Sequence, residues 1–350
     1  MIDVTTLSLF CETPGAPGHE FRIRKTVMEW VRPYVDEAYI DNMGNLITLK
    51  KGKDSTKRIV LAGHLDEIGF IVNHIDDNGF IRFYPLGGFD PKTLTAQRVI
   101  IHGKEDIIGV MGSKPIHMMT KEEMNKPLQI KDFFIDTGLP KEKVEKIVRV
   151  GDPITRERIL IEMGDCVNSK SLDNRVAVYI IAEMMRELKA VEVPYDVYGV
   201  FTVQEEVGIR GAMTVAHSLD PDFALAIDGT VAFDLPGAQP HEYCTKLGNG
   251  AAIKIMDSAT ICDQRMVHYL RNQADKNNIT WQSEILPAGG TDTAALQRYG
   301  KNGAIAGAIS VPMRHLHQVI EMSHKGDIRN AIELAKAAVK NLDQFNWDHI

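Results

Sequence analysis

Hydrophobic positions along this chain change rhythm twice, and the changes divide it into three stretches. In residues 18–35, GHEFRIRKTVMEWVRPYV, apolar side chains recur at helical spacing, which predicts a helix ending near Pro33. DNMGNLITLK reads as a turn and a strand, and RIVLAGHLD as a strand with a polar exit. From about 67 to 115 the texture is different. IGFIVNHI, GFIRFYPLGG, QRVIIHG and IIGVMGS are short β-rich runs split by Gly, Asp and Asn, and they predict a small barrel or sandwich. KPIHMMTKEEMNKPLQIKDFFID lacks a clean period and reads as a long loop, before a short helix in IDTGLPKEKVEKIV.

Beyond about residue 165, helix and strand alternate. LDNRVAVYIIAEMMREL, GIRGAMTVAHSL, DQRMVHYLRNQADKN, TDTAALQRYG and HKGDIRNAIELAKAAVKNL read as helices. YDVYGVFTV, FALAID, AAIKIMD, WQSEIL and NGAIAGAIS read as strands. The expected fold is therefore α/β, a mixed and largely parallel sheet flanked by helices. Residues 1–66 and 161–350 form that domain, and residues 67–160 form a β-barrel-like insert. No internal repeat or low-complexity tract interrupts the pattern.

Composition adds mainly exclusions. The 350 residues are 44% hydrophobic and 25% charged, an ordinary globular balance with room for a large core. A formal charge of −7 argues against nucleic acid as a partner, because phosphate neutralisation needs clustered Lys and Arg. No apolar run approaches the ~18 residues of a membrane span. MIDVTTLSLFCETPG lacks the basic start and longer apolar core of a secretory signal. The cysteines, Cys11, Cys166, Cys244 and Cys262, are scattered, which fits a reducing compartment. The expectation is a cytoplasmic protein with neither nucleic-acid nor membrane partners.

The candidate chemistry lies just beyond the strands, where open α/β sheets bind ligands. RIVLAG is followed by His64 and Asp66, YDVYGVFTV by Glu205 and Glu206, and FALAI by Asp228. NGAIAGAISV leads into Arg314, His315, Leu316 and His317, and Asp173 opens a predicted helix. Each has a plain alternative: Asp173 as a helix cap, the glutamates as an exposed charge pair, the histidines as a polar rim. Together they offer the N/O ligands of a two-metal site in His64, Asp173, Glu206, Asp228 and His317. Glu205 is then left to move a proton, and Asp66 can orient His64 by accepting its other ring N–H. Adjacent residues of an extended chain point apart, so a local twist near Gly208 and Gly211 must let both glutamates contribute.

The chain resembles the M42 metallo-aminopeptidases, which include the tetrahedral and glutamyl aminopeptidases. The resemblance rests on GHLDEIGF, PLGGFDPKTLTAQRV, GVMGSKPIHM, SLDNRVAV, VQEEVGIRGA, AIDGT, PAGGTDTAALQ and PMRHLH, in family order across almost the whole chain. It implies metal ligands at His64, Asp173 (bridging), Glu206, Asp228 and His317. It also implies a general base at Glu205 and a supporting carboxylate at Asp66. Gly289, Gly290, Thr291 and Asp292 plainly read as a turn with a helix cap at Thr291, and the resemblance adds substrate contact. One departure stands out: the family's RYxH context is here Arg314-His315-Leu316-His317, so His315 is a second imidazole beside the favoured His317.

The function expected is a di-metal aminopeptidase, with two zinc or cobalt ions per subunit, acting on short peptides with a free N-terminus. The alternatives are an amidase or deacylase on the same ligands, a glycosidase, and a non-catalytic assembly protein. The resemblance further implies that residues 67–160 pair two chains and that dimers close into a dodecamer. PLGGF, FFID and PIHMMTKEEM supply apolar anchors for that pairing.

Overall fold

The computed structural model describes residues 1–349, and two sheets organise them. The larger, of eleven strands, runs Glu37–Ile40, Leu46–Lys50, Tyr195–Thr202, Asp54–His64, Phe223–Val231, Ile305–Arg314, Glu321–His324, Cys166–Ser169 and Ile161–Met163. Ala251–Met256 pairs with Ile305–Arg314 and carries Trp281–Ile285 as its own neighbour. Its centre is parallel, from Tyr195–Thr202 through Ile305–Arg314, and its flanks are antiparallel. Helices cover both faces of that parallel centre, which is why RIVLAG and FALAI read as unbroken apolar runs.

Alternate side chains feed two cores. Ile59 and Leu61 pack with Val176, Ile180, Leu225 and Ile309, while Val60 and Ala62 pack with Val215, Ala224 and Leu296. The first face carries the helix Leu172–Leu188, itself contacted by Val4–Glu12, Phe21–Val31 and Lys325–Lys340. Arg210–Leu219 and Thr293–Arg298 pack together on the second. Gly63 brings strand and helix close: a Cβ there would stand 2.8 Å from the Ala177 Cβ. That contact draws the helix start, with Asp173, toward His64.

The smaller sheet closes into a barrel of Gly69–Ile75, Ile81–Leu86, Phe134–Asp136, Asp106–Gly112, Arg98–His102 and Pro153–Arg156. Phe70, Val72, Ile81, Phe83, Ile101 and Ile154 give it a core of its own. Phe134–Asp136 lies in the stretch read as loop; three residues are too few to display an alternating pattern. Phe133 and Ile135 are buried in the barrel, so FFID is core and not a surface anchor. Ile116, Met118 and Met124 of the methionine loop are exposed, as are Tyr84, Ile108 and Val110. The helix Val4–Glu12, capped by Asp3, escaped the sequence pattern. Arg22 joins the two sheets' domains through a two-pronged pair with Asp106, at 2.5 and 2.8 Å. No helix among the described residues is long and apolar enough to cross a membrane.

Candidate active site

Five polar segments meet beyond the ends of the parallel strands. His64 ends one strand, and Asp228 lies within the next, Phe223–Val231. The chain after Tyr195–Thr202 turns at Gln204, whose φ of 56° breaks the extended alternation. Glu205 and Glu206 consequently line one cavity instead of pointing apart. Asp173 enters from the irregular start of the segment Leu172–Leu188, where its ψ of 105° is extended, and His317 from the loop after Ile305–Arg314. The cavity of about 370 Å³ receives all six side chains.

Asp173 is the hinge of the geometry. One carboxylate oxygen is 3.3 Å from His64 Nε2, and the other is 3.3 Å from His317 Nε2. Asp228 completes the first side, 3.9 Å from His64 Nε2, and Glu206 the second, 3.6 Å from His317 Nε2. The six atoms fall into two trios, His64–Asp173–Asp228 and Asp173–Glu206–His317, each compact enough to share a cation. Glu205 is in neither trio, with its carboxylate 3.8 Å from His64 Nε2. Asp173 does not cap its helix: its two oxygens face the two histidines.

Two buried carboxylates hold the backbone of this constellation. Asp66 accepts the amide of Glu205 at 3.0 Å and that of Glu206 at 3.1 Å. The orientation of His64 comes from the Asp66 carbonyl, 2.9 Å from Nδ1, while the Asp66 carboxylate is 3.6 Å away. This corrects the expectation that the carboxylate takes that N–H, and it leaves Nε2 free toward Asp173. Glu321 performs the same service elsewhere, accepting the amides of Asp173 and His317, both at 3.0 Å. The sequence gives no sign of this role, although His317 lies only four residues away, because a carboxylate that binds backbone amides needs no fixed spacing. His317 Nδ1 sits 3.0 Å from the Gly88 carbonyl, and Arg156 donates to the His317 carbonyl at 3.2 Å. Thus the barrel, through PLGGF and Arg156, buttresses the site.

The site is short of positive charge. Burial and neighbouring Asp173 push Glu206 up to about 7 and Glu321 up to about 8. Burial, with His64 opposing and other acids adding, lifts Glu205 and Asp228 well above the carboxylate range. Against their own burial, hydrogen bonding to Asp173 lifts His64 well up and His317 to about 10. Asp173 shifts down despite its burial because both histidines face it. The donor set fits divalent cations on two further grounds. Glu206 Oε1 is buried with no hydrogen-bond partner. The 3.3–3.9 Å gaps exceed ordinary hydrogen bonds, whereas donors about 2.1 Å from one tetrahedral ion stand roughly 3.4 Å apart.

His315 belongs to neither trio and does not line the cavity. Gly289, Gly290 and Thr291 do line it. Asp292 sits behind, accepting the Thr202 hydroxyl at 2.6 Å, with its other oxygen buried and unpartnered. Asp292, not Thr291, precedes the helix, and no side chain caps it.

Residues 44–334 match the sequence profile of the M42 glutamyl aminopeptidases. The chain belongs to the M42 aminopeptidase family. A putative aminopeptidase of Acetivibrio thermocellus is 40% identical, with 95% of this chain and 97% of the relative aligned. The TET aminopeptidase of Thaumarchaeota archaeon SCGC AB-539-E09 superposes with a TM-score of 0.94 at 35% identity, covering 97% and 96% of the two chains. Also similar is the TET1 peptidase of Pyrococcus horikoshii, which can assemble into a tetrahedron or a large octahedral shell. Its TM-score is 0.87 at 31% identity, covering 96% of this chain and 98% of that one. This M42 protein is an aminopeptidase, a hydrolase of peptide bonds. M42 metallo-aminopeptidases depend on metal, and the two trios are this chain's candidate metal-binding groups.

Proposed function

We propose that this aminopeptidase releases N-terminal residues from short peptides by two-metal catalysis, with Glu205 moving the proton. The observation that carries the reading is Asp173, whose two oxygens face separate histidines. His64, Asp173 and Asp228 would hold one divalent cation, and Asp173, Glu206 and His317 the other. Mixed imidazole and carboxylate donors suit zinc or cobalt. When bound, such a pair supplies Lewis acidity toward the scissile carbonyl and makes water a stronger nucleophile at neutral pH.

Glu205, outside both trios, takes the proton of the attacking water and delivers it to the departing amide nitrogen. Asp66 holds the Glu205 amide, so the carboxylate is positioned before substrate arrives. Ile209, Leu286 and Leu316 line the cavity and exclude bulk water, which strengthens its electrostatics. Gly289, Gly290 and Thr291 contact the substrate, and Asp292 braces them through Thr202.

Residues 1–66 and 161–350 are the catalytic domain, and residues 67–160 the dimerisation domain. The exposed Tyr84, Ile108 and Val110 of the barrel strands and Ile116 and Met118 of the methionine loop support that assignment, because they offer large apolar side chains for a partner to cover. Dimers then build a larger shell, most simply of twelve subunits, as the tetrahedral Pyrococcus horikoshii relative suggests. A closed shell restricts entry to short, unfolded peptides.

The test is metal-loaded protein offered aminoacyl chromogens with free and with acetylated amines. The proposal expects hydrolysis of the free-amine series. Selective hydrolysis of the acetylated series would assign the site to a deacylase instead.

A further inference from the structure

The wall of the cavity beside Asp228 holds an ammonium backed by two buried carboxylates. Lys254 lines the cavity, on the strand Ala251–Met256, and is almost wholly buried. Its Nζ is 2.5 Å from Glu284 Oε1 and 3.4 Å from Asp257 Oδ2, and both carboxylates are fully buried. Thr230, also in the wall, donates its hydroxyl to the same Glu284 oxygen at 2.7 Å. Neither Glu284 nor Asp257 reaches the cavity surface. The remaining wall away from the candidate metal ligands is largely apolar: Ile209, Val231, Leu286, Ala288 and Leu316.

We infer that this wall selects a neutral, aliphatic N-terminal side chain, because Lys254 is neutralised from behind by Glu284 and Asp257. The inference rests on the aminopeptidase reading of the same site. An acidic side chain would have to compete with two buried carboxylates for one ammonium. With two carboxylates behind one ammonium, Lys254 offers an anion no uncompensated positive charge. A basic side chain would meet the Lys254 ammonium first, with the carboxylates shielded behind it. Either charge would be buried without a free partner, the costly case for any buried ion. A leucine-like side chain instead covers apolar surface and leaves the Lys254–Glu284 pair intact.

The experiment uses metal-loaded protein with leucyl-, glutamyl- and lysyl-p-nitroanilide. Calorimetric binding of free L-leucine, L-glutamate and L-lysine is measured in parallel. Leucyl kcat/KM is expected to exceed both others by at least about tenfold, with L-leucine the tightest-bound amino acid. A preference for the glutamyl or lysyl substrate overturns the inference and leaves the aminopeptidase reading standing. Hydrolysis of none of the three overturns both. Glu284→Gln keeps an acceptor for Lys254 and Thr230 but removes one negative charge. It is expected to raise the glutamyl-to-leucyl ratio of kcat/KM at least about tenfold, and an unchanged ratio overturns the role given to the pair. Lys254→Met provides the reciprocal check should that variant fail to fold: the lysyl-to-leucyl ratio should rise, and constancy counts against the inference.

Discussion

One oxygen of Glu321 accepts the backbone N–H of Asp173 at 3.0 Å, fixing the residue on which both halves of the site depend. Its other oxygen holds the amide of His317, also at 3.0 Å. One buried carboxylate therefore sets the spacing between two proposed ligands that lie far apart in sequence. Glu321→Ala is expected to weaken metal binding by about 10–100-fold, the usual effect of losing such support. Competition with a fluorescent chelator checks this. Unchanged affinity in a folded variant would mean the helix start and the His317 loop hold themselves in place.

Glu205 and Glu206 are adjacent but are assigned different work. Glu205→Gln preserves shape and removes proton transfer, so turnover should fall by ~10²–10⁴-fold with both metals retained. Glu206→Gln should lower metal content first. Elemental analysis beside steady-state kinetics separates the two, and full metal content in both variants would refute this division of labour.

The two imidazoles of the Arg314–His317 stretch give a second contrast. His317→Ala should cost occupancy of one metal, because His317 Nε2 lies 3.3 Å from Asp173. His315→Ala should leave occupancy largely intact, since His315 lines no part of the cavity. The reverse pattern would move the ligand to His315.

Barrel substitutions should separate stability from assembly. Phe133 is 2% exposed, and Phe133→Ala should cost about 3–5 kcal/mol of stability by opening a cavity in the barrel core. Ile116 and Met118 are 64% and 69% exposed, so charging both to Glu should barely change the melting temperature. If the methionine loop lies in the dimer contact, that double variant will scatter light as a smaller species. A full-size oligomer would place the contact elsewhere.

Much of the fold was legible because its central strands and covering helices carry strong periodicity. RIVLAG, FALAI and the stripe of HKGDIRNAIELAKAAVKNL are long enough to declare their type. Phe134–Asp136 and Ile161–Met163 are not: three residues show no alternation, and their pairing comes entirely from neighbours. The site was legible as a set of residue types at strand ends, and the structure gathers His64, Asp173, Glu205, Glu206, Asp228 and His317 around one cavity. Its supports were hidden. Glu321 and Arg156 act through backbone contacts, which impose no local spacing on the sequence. Asp66 was found, but its carboxylate grips the glutamate backbone, a connection no linear pattern announces.

Asp173 is proposed to bridge two cations. Anomalous diffraction from zinc-loaded crystals, recorded at the metal edge, tests it most directly. Two peaks are expected roughly 3.5–4 Å apart, one beside each Asp173 carboxylate oxygen. The first should be shared with His64 and Asp228, and the second with Glu206 and His317. A single peak, or two peaks that Asp173 does not join, would contradict it.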